Sequence, residues 1–196
     1  MKTACIIIAG PNRPQLIKDV ILPSVLNQGF DDVFVVGDFP GAGATFRVLI
    51  VPPLTHSTID ALVKRDVGTL ATDADILVYL ADDHKLGERF GDHVRDMQQK
   101  GWDVLVPSRF VRYNGQKLPL NNGELANNQQ IGNGYCGGHC GVYRRRLIEK
   151  LPWSTMPHHR NWDLLGSLMQ QRIGAQFVWT PELEVEDVEP GAQPWK

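Results

Sequence analysis

Asp75-Ile-Leu-Val-Tyr-Leu-Ala-Asp-Asp-His-Lys-Leu86 is the stretch on which the fold turns. Its apolar run, Ile76 to Leu80, has no polar interruption. Such a run reads as a strand covered on both faces, the habit of parallel sheets in α/β proteins. Asp82, Asp83 and His84 follow at once. In open α/β sheets ligands bind beyond the carboxyl ends of the strands. Two carboxylates and an imidazole there make an oxygen-rich cation site suited to Mg²⁺ or Mn²⁺, and hence to a phosphorylated substrate. The competing reading of the same residues is a solvated acidic turn.

Working outward, the first half alternates strands and helices. Ala4–Ala9 reads as a second buried strand, broken by Gly10-Pro-Asn-Arg-Pro14. Gln15 to Gln28 reads as a helix kinked at Pro23 and stopped by Gly29. Strands are expected at Val33–Gly37, ending on Asp38, and at Arg47–Val51. Ser57 to Leu70 is expected as a helix capped by Ser57, with Ile59, Leu62, Val63, Val67 and Leu70 on one apolar face. After the acidic turn come a helix from Glu88 to Lys100 and a strand at Asp103–Val106. The alternation predicts an α/β fold, a parallel sheet with helices on both faces.

The second half reads differently. Arg109 to Gly134 is polar, rich in Asn, Gln and Gly, and longer than a routine connection, so it is expected as a lid, a binding loop or disordered chain. A glycine-rich segment follows, Gly132-Asn-Gly-Tyr-Cys-Gly-Gly-His-Cys-Gly-Val-Tyr143, then a short helix through Leu147 and Ile148. Asn161 to Ile173 reads as an amphipathic helix with Leu164, Leu165, Leu168 and Met169 inward. Short strands at Gln176–Trp179 and Leu183–Glu186 precede an irregular tail from Pro190. With no repeat and no linker, residues 1–196 read as one domain of two halves, 1–108 and 109–196.

Composition narrows the classes. The chain has 196 residues, 42% of them hydrophobic and 21% charged, values typical of a soluble globular protein. A net charge of −2 and a pI near 6.3 argue against a nucleic-acid binder. No apolar run approaches the ~20 residues of a membrane span, and no signal-peptide pattern is present. Cys5, Cys136 and Cys140 form an odd set, expected as reduced thiols in a cytoplasmic protein. Nothing indicates an oligomeric state.

Each candidate site residue has a plainer alternative. Arg65, on the helix before the acidic strand, could point at a diphosphate, or Lys64-Arg65 could be a solvated face. Asp38 could accept hydrogen bonds from a ribose or base, or open a turn before Pro40-Gly41. Gly41-Ala-Gly43 is no dinucleotide fingerprint: the third glycine would fall on Phe46. Cys136-Gly-Gly-His-Cys140 offers at most three zinc ligands, so a glycine-rich strand passing close to a ligand or backbone fits it better. Asp163 could be a general base at a helix N-terminus, or an ordinary first-turn acid. His158 and His159 suit a pocket or a solvated loop. Arg144-Arg145-Arg146 reads as a solvated helix end that could also meet a phosphate. Trp153, Trp162 and Trp195 could stack on a sugar, or pack in the core. No Gly-x-Ser-x-Gly elbow and no Walker A string occurs.

In order along the chain these pieces resemble glycosyltransferases of the GT-A fold, closest in layout to family 2. Ile8-Ala-Gly-Pro-Asn-Arg-Pro14 resembles that family's opening loop, which implies nucleotide contacts for Ala9, Pro11, Asn12 and Arg13. Ser24-Val-Leu-Asn-Gln28 resembles the following helix, and Val35-Val-Gly-Asp38 the second strand with its uridine-side acid. Arg65-Asp-Val-Gly68 is similar to the Arg-Asn-x-Gly element near the diphosphate. Leu80-Ala-Asp-Asp-His84 resembles the metal-binding DxD region, which implies Asp82 beside the nucleotide and Asp83 and His84 on Mn²⁺ or Mg²⁺. Gly137-Gly-His-Cys-Gly-Val-Tyr-Arg-Arg145 resembles the glycine-rich acceptor-side strand. Trp162-Asp163-Leu-Leu, with Gly174 and Pro181 downstream, resembles the Glu-Asp helix whose acid is the base of inverting members.

The resemblance covers residues 4 to 190 and departs in three places. The metal motif reads Asp-Asp-His rather than Asp-x-Asp, Asn161-Trp162-Asp163 replaces Glu-Asp, and Glu186-Asp187 stands near the place of a late histidine. It implies a nucleotide-binding half at 1–108 and a small acceptor-side half at 109–196, the latter including Gly138, His139, His159 and Trp162. It also implies a metal-dependent, hexosyltransferase-type enzyme that moves a sugar from a nucleoside-diphosphate donor, with UDP favoured, to an acceptor hydroxyl with inversion. Two rival readings are a sugar nucleotidyltransferase and a non-catalytic nucleotide-sugar binder.

Overall fold

The computed structural model describes residues 1–41, 43–114, 116–119, 134–159 and 161–188. The expectations for residues 120–133 of the polar loop, for Ala42 of the Gly41–Gly43 stretch and for the tail with Trp195 lie outside the described residues. Among the described residues nine strands form one sheet: β1 (Thr3–Ile8), β2 (Asp32–Val36), β3 (Arg47–Leu49), β4 (Ile76–Ala81), β5 (His84–Leu86), β6 (Val104–Tyr113), β7 (Gln116–Pro119), β8 (Cys140–Arg144) and β9 (Phe177–Asp187). Their order is β3-β2-β1-β4-β8-β6-β9-β5, with β7 beside β6. The first four strands pair in parallel, as the alternation predicts. β8 enters antiparallel between β4 and β6, and β9 runs parallel to β6.

β1 and β4 sit centrally because they are apolar on both faces. Successive strand residues point to opposite sides. Cys5, Ile7, Val78 and Leu80 therefore pack under Ile17, Ile21, Val25 and Phe90, while Ile6, Leu77 and Tyr79 pack under Leu62, Leu147 and Trp153. Each such aliphatic side chain contributes about 1.5–3 kcal/mol. Helical residues Pro14–Leu16, Ile17–Ile21 and Leu22–Leu26 run on as one helix, α1, π-wound in its middle. That wider winding stands directly ahead of Pro23, whose ring crowds the carbonyl four residues back. Gly29 ends the segment at φ +70.

Helix α2 (Ser57–Leu70) departs from its sequence reading. Its N-cap is His56, so Ser57 lies inside the helix and caps nothing. Its buried residues are Leu62, Lys64, Arg65, Gly68 and Thr69, whereas Leu70 is 85% exposed. The reason is close packing on β1: a Cβ on Gly68 would lie 2.4 Å from Ile6 Cγ2. The glycine-lined face is drawn against the sheet, and the long stems of Lys64 and Arg65 are buried with it.

Three further expectations change. Helix α3 is shorter than Glu88–Lys100, spanning Phe90–Asp96. The polar stretch from Arg109 opens as the end of β6 and then as β7, a hairpin turned at Asn114 with φ 50. Gln176–Trp179 and Leu183–Glu186 belong to the single strand β9, whose pairing with β6 shifts register at Pro107/Ser108. Helix α4 (Arg145–Lys150) follows β8 as expected. Its arginine run is used structurally: Arg144 lies over the Trp102 ring at 4.1 Å, Arg145 donates to Ala74 O and Thr72 O, and Arg146 pairs with Asp103.

Helix α5 (Trp162–Arg172) is rotated from the expected orientation. Gly166, Ser167 and Gln170 face inward, while Leu165 and Leu168 are exposed at 36% and 37%. Trp162 and Met169 still pack against the core, and Gly166 lies against Met156, but polar contacts to the glycine-rich segment set the inward face. Ser167 Oγ accepts from Cys136 N–H at 3.2 Å, and a Cβ on Gly134 would overlap Gln171. No helix among the described residues is long and apolar enough to cross a membrane.

At the N-terminal end of the sheet Asp32 accepts from Thr72 Oγ1 at 2.5 Å and pairs with Lys2 at 3.0 Å and Arg47 at 2.7 Å. Burial raises its carboxyl, but these donors outweigh burial and hold it below its ordinary value of 3.8. A carboxyl lowered on folding adds stability above its unfolded value, and that stability is lost as pH falls through the folded one. Asp32→Asn should lower stability by about 1 kcal/mol at pH 7, since one net hydrogen bond and two exposed pairs are at stake. The deficit should shrink in urea titrations as pH falls below 3.8 and through the lowered folded value.

Candidate active site

The site is built where β1 and β4, in register as parallel neighbours, both end. Ile8 pairs with Ala81, so the loop after β1 and the acidic turn after β4 emerge side by side. Gly10 N–H donates to Asp82 Oδ2 at 2.6 Å, and Arg13 Nη1 meets Asp82 Oδ1 at 2.9 Å. A Cβ on Gly10 would stand 2.8 Å from that same Oδ2, so the residue type is set by the contact. Pro11 and Asn12 are exposed at the loop tip. Ala9 is fixed from behind: its carbonyl accepts from the buried Lys64 Nζ at 2.8 Å, and Asp60 accepts from the same ammonium at 2.5 Å. Sequence reading passed over Lys64 because a lysine on an amphipathic helix reads as solvated; at 1% exposed it is not. Asp38 follows Gly37, which has φ +144 and backs onto Ala9 O, leaving Asp38 exposed at the same sheet edge.

Asp83 and His84 form the next layer. His84 Nδ1 lies 2.5 Å from Asp83 Oδ1, and Arg13 Nη1 stands 3.5 Å from Asp83 Oδ2. Burial pushes the Asp83 carboxyl up, yet the His84 bond and the charges of His84 and Arg13 leave it below the usual carboxylate range. For His84 burial pulls the imidazole down, the Asp83 bond opposes it, and His139 and Arg109 reinforce the lowering. Arg109 is a residue the sequence did not single out; it bonds Asp187 at 3.1 Å.

Among the described residues no three His, Cys, Asp or Glu side chains converge on a metal position. The donors nonetheless fit a hard cation. Asp83 keeps lone pairs on Oδ2, and the buried Nε2 of His84 has no hydrogen-bond partner among the described residues. Mg²⁺-type ions are commonly held by one or two carboxylates together with substrate phosphates and water. Asp82 is less available, both of its oxygens being committed to Gly10 and Arg13.

The acceptor-side residues join this rim through His139. Its carbonyl accepts from Ala81 N–H at 2.8 Å, and its ring lies 5.3 Å from that of His84. Next to it, Gly138 N–H donates to Asp163 Oδ2 at 3.1 Å, and Tyr135 Oη donates to the same oxygen at 2.9 Å. Asp163 is thus tied into the glycine-rich segment rather than left in solvent at the helix start. Tyr135, another residue the sequence reading did not single out, is recognisable only once that segment is seen to face α5. A Cβ on Gly138 would lie 2.7 Å from Trp162 Cζ2. His159 is exposed, its Nδ1 accepting from Asn161 N–H at 3.3 Å.

Arg65 is placed otherwise than the sequence reading expects. It is 3% exposed, its Nη2 donates to Gly138 O at 2.6 Å, and its guanidinium lies 4.8–5.1 Å from the rings of Tyr79, Trp153 and Trp162. Burial lowers its pKa from the usual arginine value. The tryptophans at 153 and 162 therefore serve this enclosure. Asp66 secures it, accepting from Trp153 N–H at 2.9 Å and Ser154 N–H at 2.8 Å.

The sequence matches no family model and no curated relative. Solved structures do match. S. aureus TarS 1-349 in complex with UDP superposes with a TM-score of 0.67 at 16% identity, over 95% of this chain and 60% of that one. The fold is GT-A. TarS 1-349 by itself gives 0.66 at 16% identity over 97% of this chain and 61% of that one, and S. aureus TarS gives 0.66 at 16% over 96% and 37%. The GT-A chain described here thus spans about three fifths of TarS 1-349.

Proposed function

We propose that this chain is a metal-dependent, inverting glycosyltransferase using a nucleoside-diphosphate sugar, with UDP as the favoured nucleotide. One observation carries the reading. The loop after β1, the Asp82-Asp83-His84 turn, His139, Gly138 and Asp163 form one unbroken chain of contacts along the rim. A nucleotide side and a carboxylate suited to proton abstraction are thereby joined in a single site. The likeness to a UDP-bound structure supports the choice of nucleotide.

In this reading Ala9, Pro11, Asn12 and Asp38 line the nucleoside, and Arg13 faces the diphosphate. Asp83, with His84, would hold Mn²⁺ or Mg²⁺, which when bound supplies Lewis-acid neutralisation of the leaving group. Asp163 Oδ takes the proton of the acceptor hydroxyl while that oxygen bonds to the anomeric carbon. The bond from that carbon to the β-phosphate oxygen breaks, and its electron pair leaves on the diphosphate. Gly138, His139, His159 and Trp162 belong to the acceptor side.

Calorimetry with UDP and GDP, each with and without Mn²⁺, tests the first half. UDP should bind at least tenfold more tightly with Mn²⁺ than without. Equal heats with and without metal would remove the metal from the reading, and no binding of either nucleotide would remove the donor class. Proton NMR of the product then reads the anomeric configuration, and retention would overturn inversion.

A further inference from the structure

Arg65 is the least expected ion in the protein. A guanidinium this deeply buried ordinarily has a carboxylate against it, because an unpaired buried charge is costly. Among the described residues Arg65 forms no ion pair, and its Nε–H has no partner at all. Three aromatic faces surround it, and cation–π attraction offsets part of the desolvation. Among the described residues its one hydrogen bond goes to the carbonyl of Gly138. The amide of that same residue donates to Asp163.

Residue 138 therefore stands between a cation and an anion. The cation grips its carbonyl at 2.6 Å, and the anion grips its N–H at 3.1 Å. Charge-assisted bonds of this kind are the strong ones, and chains of hydrogen bonds polarise one another in a low-dielectric interior. Trp162 closes the circuit from the side: it lies over Arg65, meets Gly138 and is covalently next to Asp163. Glycine at 138 is required, since any Cβ would push Trp162 away.

We propose that Arg65 is a positioning residue that clamps the Gly138 backbone and so fixes the orientation of the Asp163 carboxylate. Arg65 acts through residue 138 and makes no contact with the donor diphosphate. The inference rests on the proposed base role of Asp163 for its catalytic consequence, although the clamp itself is a structural claim. A base displaced by about 1 Å loses about 10²-fold in rate.

The test uses Arg65→Met, which keeps an apolar stem inside the aromatic enclosure, and Arg65→Lys, which keeps a cation able to reach a carbonyl. Two readouts need no activity. Amide exchange at residue 138 should quicken at least tenfold in Arg65→Met, and the Asp163 carboxyl ¹³C signal should move. Two readouts bear on catalysis. Transfer kcat should fall about 10²-fold while UDP affinity stays within twofold, and Arg65→Lys should recover part of kcat.

Tenfold weaker UDP binding in either variant would return Arg65 to the diphosphate and overturn the clamp. Unaltered amide exchange and an unmoved Asp163 signal would also overturn it. If Arg65→Met does not fold, Arg65→Leu, which likewise removes the guanidinium, is read by the same four measurements. A wild-type protein that binds no nucleotide would sink the proposed function, while the exchange and carboxyl measurements would still decide the clamp.

Discussion

Asp163→Asn should abolish most transfer, by about 10²–10⁴-fold, the usual worth of a positioned general base, and leave UDP affinity unchanged. The substitution is nearly isosteric. An asparagine carbonyl can still accept from Tyr135 Oη and from the Gly138 amide, the two donors that now hold Oδ2, and only the short-range bond from Leu164 N–H to Oδ1 is lost. The first turn of α5 should keep its shape, so thermal unfolding should move by no more than a few degrees. The amide cannot take a proton from an acceptor hydroxyl. Donor binding and acceptor activation thus separate in this one variant: calorimetry with UDP reads the former, product formation the latter. Transfer at the wild-type rate would place the base elsewhere or make the chemistry retaining.

The same residue shows what was legible in the sequence. Asp163 was readable as a candidate only through the resemblance of Trp162-Asp163-Leu-Leu to a Glu-Asp helix, since by itself a first-turn acid is ordinary. Its partners were not, because Tyr135 and Gly138 reach it across 28 and 25 positions of chain. The parallel half of the sheet was legible for a local reason. β1, β2 and β4 are short apolar runs that no solvent-facing strand would tolerate, and each is followed by a break. Helix orientations were less so. On α2 and α5 the apolar stripe suggested one buried face, but α2 presses Gly68 onto the Ile6 side chain and α5 bonds Ser167 to the Cys136 amide. Close approach decides there, and hydrophobicity does not. β7 was missed because Gln116–Pro119 carries no alternation of its own and pairs only by hairpin with β6. Lys64 was passed over because a charged dipeptide announces solvent until a particular carbonyl comes to meet the head group, Ala9 O for Lys64 and Gly138 O for Arg65, which the sequence pointed at a diphosphate instead.

Asp83→Ala should carry the other large loss, on the order of 10³-fold in transfer, the size expected when Lewis-acid stabilisation of a diphosphate leaving group is removed. UDP should bind at least tenfold more weakly, and added Mn²⁺ should no longer improve it. Alanine also deprives His84 Nδ1 of its acceptor, so the variant alone would confuse a lost ligand with a loosened imidazole. Asp83→Asn resolves the two. The amide oxygen can still accept from His84 and preserve the geometry, but it brings no charge to a cation. If charge is what the site requires, Asp83→Asn should resemble Asp83→Ala in Mn²⁺ dependence while unfolding like the wild type. If the residue only orients His84, Asp83→Asn should transfer sugar at nearly the wild-type rate. Asp82→Asn provides the contrast within the same turn. Its oxygens already serve Gly10 and Arg13, so its loss should loosen the loop after β1 and weaken UDP equally with and without metal. An Mn²⁺ response that survives in Asp83→Asn and disappears in Asp82→Asn would move the ligand one residue back.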